Sequence, residues 1–187
     1  MGLNIAIVGG GIAGLSFALG LHHRGIDCDV FESVSEVKEI GVGITLLPHG
    51  MRELAELGLQ DALEAAGIEN LESVFYTQHG QYVYREARGR HAGYALPEIG
   101  IHRGKLHRIL FDATVSRLGA DKVHTGMRCL GFSQNPDGVE IEFTAPAQDG
   151  EYRLFSYSYD GHNHVANANI PFKVGEKPVQ KQVSAHN

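Results

Sequence analysis

A glycine-rich segment near the N-terminus and one later acidic residue have the types and spacing for ligand chemistry. Gly9-Gly10-Gly11-Ile12-Ala13-Gly14 satisfies the spacing Gly-x-Gly-x-x-Gly, and Glu32 follows the last of these glycines by 18 residues. Glycines at this spacing let the backbone approach a phosphate, and an acidic side chain further along can bind ribose hydroxyls. The pattern therefore predicts a dinucleotide-binding site.

Each residue of this pattern has its own expected task. Gly9 permits a tight turn, Gly11 lets the backbone come close to a pyrophosphate, and Gly14 lets a helix pack closely on a strand. The start of that helix supplies free N–H groups and a positive dipole to the phosphates. The Glu32 carboxylate would accept hydrogen bonds from ribose and repel a 2′-phosphate, which disfavours NADP. A ligand-free glycine turn is the alternative, and the loop alone does not distinguish FAD from NAD.

The pattern needs a strand before it and a helix after it, and the sequence predicts both. Residues 3–8 are apolar and β-branched, as in a strand buried on both faces of a parallel sheet. Helical spacing of apolar residues continues over 12–24, and Gly25 ends the helix. Residues 27–32 form the next strand and end on the acidic residue. These elements make a βαβ unit of a Rossmann-like fold.

The remaining elements predict an α/β domain with a parallel sheet and an added β-hairpin or β-meander. Amphipathic patterns predict helices at 48–58, 59–66 and 103–118. Short apolar or alternating runs predict further strands at 41–48, 71–77, 81–85, 122–125, 127–133 and 139–144. The last two are joined by Asn135-Pro-Asp-Gly138, a typical hairpin turn, and 86–98 reads as a loop.

Composition and charge exclude several classes of partner. The net charge of −6 and the pI near 6.0, without clustered Lys and Arg, disfavour a nucleic-acid partner. There is no run of apolar residues long enough for a membrane span and no basic segment at the N-terminus, so a cytoplasmic protein is expected. Cys28 and Cys129 are expected to be reduced, and His162 with His164 lacks the further ligands that a zinc site needs.

Three further segments resemble the class A FAD-dependent monooxygenases, the family of salicylate and p-hydroxybenzoate hydroxylase. The first is Gly41-Val-Gly-Ile-Thr-Leu-Leu-Pro48, which leads into Met51-Arg-Glu-Leu-Ala-Glu-Leu-Gly-Leu59. The second is Ile101-His-Arg-Gly-Lys-Leu-His-Arg-Ile-Leu110, and the third is the strand pair from Cys129 to Gly138. They follow one another in the family's order.

The resemblance implies FAD as the cofactor, and hydroxylation of a small aromatic substrate with O2 and with NADH or NADPH. It also implies that Arg103 contacts FAD from the start of a helix and that the backbone at Leu130 lies near the adenine. The expected cofactor-binding residues are therefore Gly9, Gly11, Ile12, Ala13, Gly14, Glu32, Arg103 and Leu130. No catalytic residue is assigned, because in such enzymes the cofactor carries the redox chemistry.

The resemblance weakens after about residue 150. Before Asp160-Gly161, Ser158 and Tyr159 replace the glycine and alanine of the family's Gly-Ala-Asp-Gly motif. We therefore expect an FAD-binding domain at 1–150, truncated relative to the family, and a divergent, partly disordered tail at 151–187. A non-catalytic FAD-binding remnant or regulatory module, or an NAD-binding dehydrogenase domain, are the alternatives. An open sheet edge makes a homodimer an expectation too.

Overall fold

The described part of the chain falls into two compact units. The computed structural model describes residues 5–39, 41–135, 138–144, 150–159 and 165–174, with residue 135 and the last two ranges described by backbone alone. The N-terminal unit reaches Gly126, and the C-terminal unit begins at Met127. This division is defined by contacts within the structure. The domain boundary expected near residue 150 was inferred from the sequence and stays a prediction.

The helices of the N-terminal unit begin and end close to their expected positions. They are α1 (Ile12–His23), α2 (Pro48–Glu56), α3 (Gln60–Ala66) and α4 (Arg103–Leu118). Its strands are β1 (Ile5–Val8), β2 (Cys28–Phe31), β3 (Gly43–Leu46), β4 (Ile68–Glu69), β5 (Glu72–Tyr76), β6 (Tyr82–Ala87), β7 (Ile99–His102) and β8 (Val123–His124). No helix in the described ranges is long and apolar enough to cross a membrane.

A parallel sheet confirms the expected βαβ unit. The strand β2 lies between β1 and β8 and is parallel to both, with Ile5 aligned with Cys28 and Val30 aligned with Val123. Leu15 and Leu19 of α1 are buried. Their burial holds α1 against the sheet and fixes the position of the glycine turn that connects β1 to α1.

Polar side chains attach β8 to β2. The Asp29 carboxylate accepts hydrogen bonds from Lys122 Nζ at 3.2 Å and from His124 Nε2 at 3.0 Å. The His124 ring also stacks on Phe31, with 4.6 Å between ring centroids. Burial alone would raise the pKa of Asp29, but the hydrogen bonds and charges of His124 and Lys122 outweigh it and hold that pKa below its usual value.

A second sheet positions α4. The strand β7 pairs antiparallel with β3 and β4, so that Gly43 aligns with His102. The sequence did not predict β7 or β4. Ile99 and Ile101 of β7 are buried, as are Leu106 and Leu110 of the helix that follows immediately. The core formed by these residues fixes α4 beside α1.

The expected hairpin is formed by β5 and β6 and is largely exposed. Phe75 and Tyr84 stack across the two strands with 4.7 Å between ring centroids. Every residue of β6 is exposed, although Tyr82, Val83 and Tyr84 are apolar or aromatic. The hairpin therefore presents an apolar surface to solvent.

The C-terminal unit is built from antiparallel pairs. Its strands are β9 (Cys129–Asn135), β10 (Gly138–Phe143), β11 (Gly150–Tyr159) and β12 (Val165–Val174). β9 pairs with β10 as expected, and β11 pairs with β12 in a segment that was expected to belong mostly to a divergent, partly disordered tail. Residues 136–137 of the expected turn, Asp160-Gly161, and the last ten residues of the expected tail lie outside the described residues.

Candidate functional site

The glycine turn has the geometry that its spacing predicts. Gly9 has a φ of 107°, a left-handed conformation that favours glycine. A Cβ on Gly14 would stand 1.9 Å from the Gly9 carbonyl oxygen and 3.3 Å from Ile7 Cγ2, so only glycine fits at this contact. A Cβ on Gly11 would meet no other described atom within 4 Å. The backbone at Gly11 is therefore open to a ligand.

The N-terminus of α1 opens beside this turn with its N–H groups uncapped. Gly11 is the N-cap residue, no side chain accepts a hydrogen bond from the first turn, and the first turn has no acidic residue. Leu15 N is the first to bond within the helix, donating to Gly11 O at 2.9 Å. The amides of Ile12, Ala13 and Gly14 thus have no intrahelical acceptor and can bind an anion.

Glu32 lies at the end of β2, where the sequence places it. Its Oε2 accepts a hydrogen bond from Gly10 N at 2.6 Å, and its Oε1 accepts from Val34 N at 2.9 Å and from Ser33 Oγ at 2.8 Å. Burial by itself would raise the pKa of Glu32, but these hydrogen bonds outweigh it and lower that pKa. The side chain is therefore an ionised acceptor, and Oε2, which accepts one hydrogen bond, keeps room for a further donor.

Gly10 is held from two sides, a role that the sequence reasoning missed. Its N–H donates to Glu32, and its carbonyl oxygen lies 2.6 Å from His107 Nε2 of α4. A Cβ on Gly10 would stand 2.9 Å from the Glu32 Cβ, so this glycine also lets the acidic side chain come close. The second glycine of the Gly-Gly-Gly run was a sequence signal for the close contact with Glu32. No sequence signal indicated the contact with His107.

Arg103 lies where α4 begins and packs against Gly41. Its backbone N donates to Val42 O at 3.0 Å, and a Cβ on Gly41 would stand 3.0 Å from Arg103 Nε. His102 fixes the same loop, because its Nδ1 accepts from Gly104 N and its Nε2 therefore donates to Gly41 O at 3.0 Å. The Arg103 side chain is exposed, and no acidic partner for it is found among the described residues.

An open cleft of about 760 Å³ brings four of the expected residues together. Gly11 and Ile12, Glu32 with the segment that follows it to Lys38, and Arg103 with His107 all line the cleft. Arg108 donates to Val37 O and so ties that segment to α4. The cleft thus combines free helix-start amides and a cation, which suit phosphates, with an ionised acceptor, which suits ribose hydroxyls.

The other expected residues are placed as follows. Gly9, Ala13 and Gly14 form the turn and the first helical turn beside the cleft. Leu130 belongs to β9 of the C-terminal unit, where its side chain is exposed, and its role near the adenine stays a prediction. The described ranges contain no cluster of three or more side chains that could ligate a metal ion, and His162 and His164 lie outside these ranges.

Comparison with known proteins identifies the family. The FAD binding domain family matches residues 3–176. The chain is 40% identical over 139 residues to the phenazine 1,6-dicarboxylic acid hydroxylase of Lysobacter antibioticus, covering 74% of this chain and 34% of that protein. It is 38% identical over 146 residues to the 3-amino-4-hydroxybenzoate 2-monooxygenase of Streptomyces cremeus, covering 76% of this chain and 36% of that protein.

A solved structure agrees with these relatives. HpxO of Klebsiella pneumoniae, crystallised with FAD and uric acid, superposes with a TM-score of 0.62 at 28% identity over 76% of this chain and 35% of that one. The chain spans about a third of the length of the curated relatives it matches. The chain therefore belongs to the FAD-binding domain family of the class A flavin-dependent monooxygenases, of which it carries the N-terminal part.

Proposed function

We propose that this chain is the FAD-binding portion of an NAD(P)H- and O2-dependent hydroxylase that acts on a small aromatic or heteroaromatic ring. The observation that carries the proposal is the cleft in which the uncapped start of α1, Glu32 and Arg103 meet. The relatives, a phenazine dicarboxylic acid hydroxylase and an aminohydroxybenzoate monooxygenase, support the class of substrate.

The described residues fit FAD. The open backbone at Gly11 and the free amides of Ile12 and Ala13 suit the pyrophosphate, and Arg103 adds a cation next to it. Glu32, ionised and with acceptor capacity remaining, suits the ribose hydroxyls. Bound FAD would supply the redox chemistry, while the protein binds and orients it and excludes water.

Further properties belong to the same proposal. NADH or NADPH would supply electrons, and O2 the oxygen atom. We place the protein in the cytoplasm, with no nucleic-acid or membrane partner. The strand β1 pairs only with β2 among the described residues, and such an edge favours pairing with a second copy. A homodimer is therefore part of the proposal.

A specific observation favours a second candidate function. The family matched over residues 3–176 is the FAD binding domain, and the matches to the two relatives cover 34% and 36% of their length. A non-catalytic module that binds FAD without turning over NAD(P)H needs only that domain.

An absorption titration distinguishes these functions. The absorption spectrum of the purified chain is recorded before and after addition of FAD. NADH or NADPH is then added, first without air and then in air. Bound flavin that bleaches with the donor and recovers in air supports the hydroxylase, and its substrates are then screened among aromatic acids. Bound flavin that does not bleach favours the module. Uptake of a nicotinamide dinucleotide in place of FAD would instead indicate a dehydrogenase domain and reject the proposal.

A further inference from the structure

The glycine turn makes one contact that the fingerprint does not include. His107 Nε2 of α4 lies 2.6 Å from the carbonyl oxygen of Gly10, across 97 residues of chain. The histidine is half-buried and lines the same cleft as Gly11 and Glu32. Gly10 is thereby bound by a side chain at both ends of its backbone, since its N–H donates to Glu32.

The chemistry of the two atoms fixes the direction of this hydrogen bond. A carbonyl oxygen only accepts, so the Nε2 of His107 must carry the proton and donate. His107 is therefore either the Nε2–H tautomer or the imidazolium. In both states it supplies a donor at the same position.

Holding this oxygen also holds the next amide. The peptide between Gly10 and Gly11 is planar and trans, so its C=O and the Gly11 N–H point in opposite directions. Fixing the oxygen on His107 thus fixes the orientation of the amide at the position where the backbone is open to a ligand. A glycine has no side chain to limit rotation, so the restraint has to come from outside.

The contact also has an electrostatic effect. The Gly10 oxygen carries partial negative charge at the edge of a cleft that suits a pyrophosphate. A donor from His107 compensates this charge, whereas an unpaired carbonyl there would oppose an anion.

We infer that His107 is a positioning residue for cofactor binding: it orients the Gly10–Gly11 peptide and offsets the Gly10 carbonyl, so that the turn receives a pyrophosphate. The inference rests on the proposed binding of FAD. It assigns His107 no contact with the cofactor.

Two variants, His107→Gln and His107→Asn, distinguish the effect of the hydrogen-bond donor from the effect of losing the imidazole ring. The Nε2 amide of glutamine reaches the position of the histidine Nε2, whereas the shorter asparagine amide does not. We expect His107→Gln to bind FAD within about threefold of wild type and His107→Asn to bind about tenfold more weakly, as for loss of one hydrogen bond. His22→Asn, at an exposed position near the end of α1, is the control and leaves affinity unchanged.

FAD affinity is measured by quenching of flavin fluorescence, and folding of each apoprotein by thermal unfolding. The nitrogen chemical shifts of the His107 ring in the wild-type apoprotein are a second measurement. We expect them to show that Nε2 carries a proton. Equal affinity of His107→Asn and wild type, equal weakening in both variants, or an Nδ1–H tautomer would overturn the inference. If wild-type protein takes up no FAD, the proposed function fails together with the inference. If wild type binds FAD but the variants or the tautomer differ from expectation, only the inference fails.

Discussion

Gly14 approaches Gly9 so closely that a Cβ on Gly14 would stand 1.9 Å from the Gly9 carbonyl oxygen. Gly9 itself is held in a left-handed conformation and donates its N–H to Phe31 O of β2 at 2.8 Å. The backbone of the turn therefore contacts the backbone of both the first helical turn and the neighbouring strand. A single methyl group at this contact would force the helix away from the strand.

Replacement of Gly14 by alanine should affect stability, whereas replacement of Gly11 by alanine should affect FAD binding. Gly14→Ala should lower the free energy of unfolding by about 1–3 kcal/mol or prevent folding, because its methyl group meets backbone that cannot move. Gly11→Ala should change stability by less than about 1 kcal/mol, because its backbone is extended and the space beside it is open. It should instead weaken FAD binding. Urea unfolding with FAD titration checks the pair; the close-packing account is wrong if Gly14→Ala is as stable as wild type.

Glu32→Gln should weaken FAD binding and destabilise the apoprotein by about 1 kcal/mol, because one oxygen that accepts hydrogen bonds becomes an NH2 group. Glu36→Gln is the matched control: Glu36 lines the same cleft, and its polar contact among the described residues is a 4.0 Å exposed ion pair with Lys38. Fluorescence titration of both variants is the measurement. Equal effects of the two substitutions would mean that net charge in the cleft, and not the Glu32 contacts, controls affinity.

Asp29 should contribute stability that depends on pH. Its folded pKa lies below its usual value, so the contribution is complete above the unfolded pKa, about 3.9, and is lost as the pH falls through the lower folded pKa. Asp29→Asn should therefore destabilise by about 1 kcal/mol at pH 7, a figure reduced for the partial exposure of the cluster with Lys122 and His124. Urea unfolding at pH 7 and near pH 2 should show the difference from wild type shrinking in acid, and a constant difference would contradict this account.

Arg103→Met should weaken FAD binding while leaving the stability of the apoprotein nearly unchanged, because the exposed guanidinium has no acidic partner in the described residues. The attraction of a guanidinium for phosphate is screened by salt, so wild-type affinity should fall more steeply with ionic strength than that of the variant. Lys105→Met, an exposed cation two residues further along α4, should behave like wild type. A similar loss in both variants would indicate a general effect of positive charge.

Local pattern was enough to predict the unit that carries the glycine turn. Apolar, β-branched residues before Gly9 and helical spacing after Gly11 depend on neighbours within a few residues, and the structure confirms both elements. The bounds of α4, from Arg103 to Leu118, were predicted for the same reason. The steric role of Gly14 also follows from spacing alone.

Contacts between distant segments could not be predicted in this way. The strand β7 has only four residues and pairs with β3, whose Ile44 aligns with Ile101; such a pairing leaves no periodic signal. The contact between His107 and Gly10 is of the same kind, because it depends on how α4 packs against α1. The resemblance to a family located Arg103, but it did not indicate which other side chains of α4 approach the turn.

The distance along the chain between Gly10 and His107 has a consequence for biosynthesis. During translation the complete glycine fingerprint emerges first, yet one wall of the cleft belongs to α4, whose His107 follows Gly10 by 97 residues. A nascent chain that ends before α4 would offer phosphate-binding amides without the residues that enclose them. We therefore expect the growing polypeptide to remain empty of cofactor until α4 has emerged and packed, so that loading reports completion of the N-terminal unit.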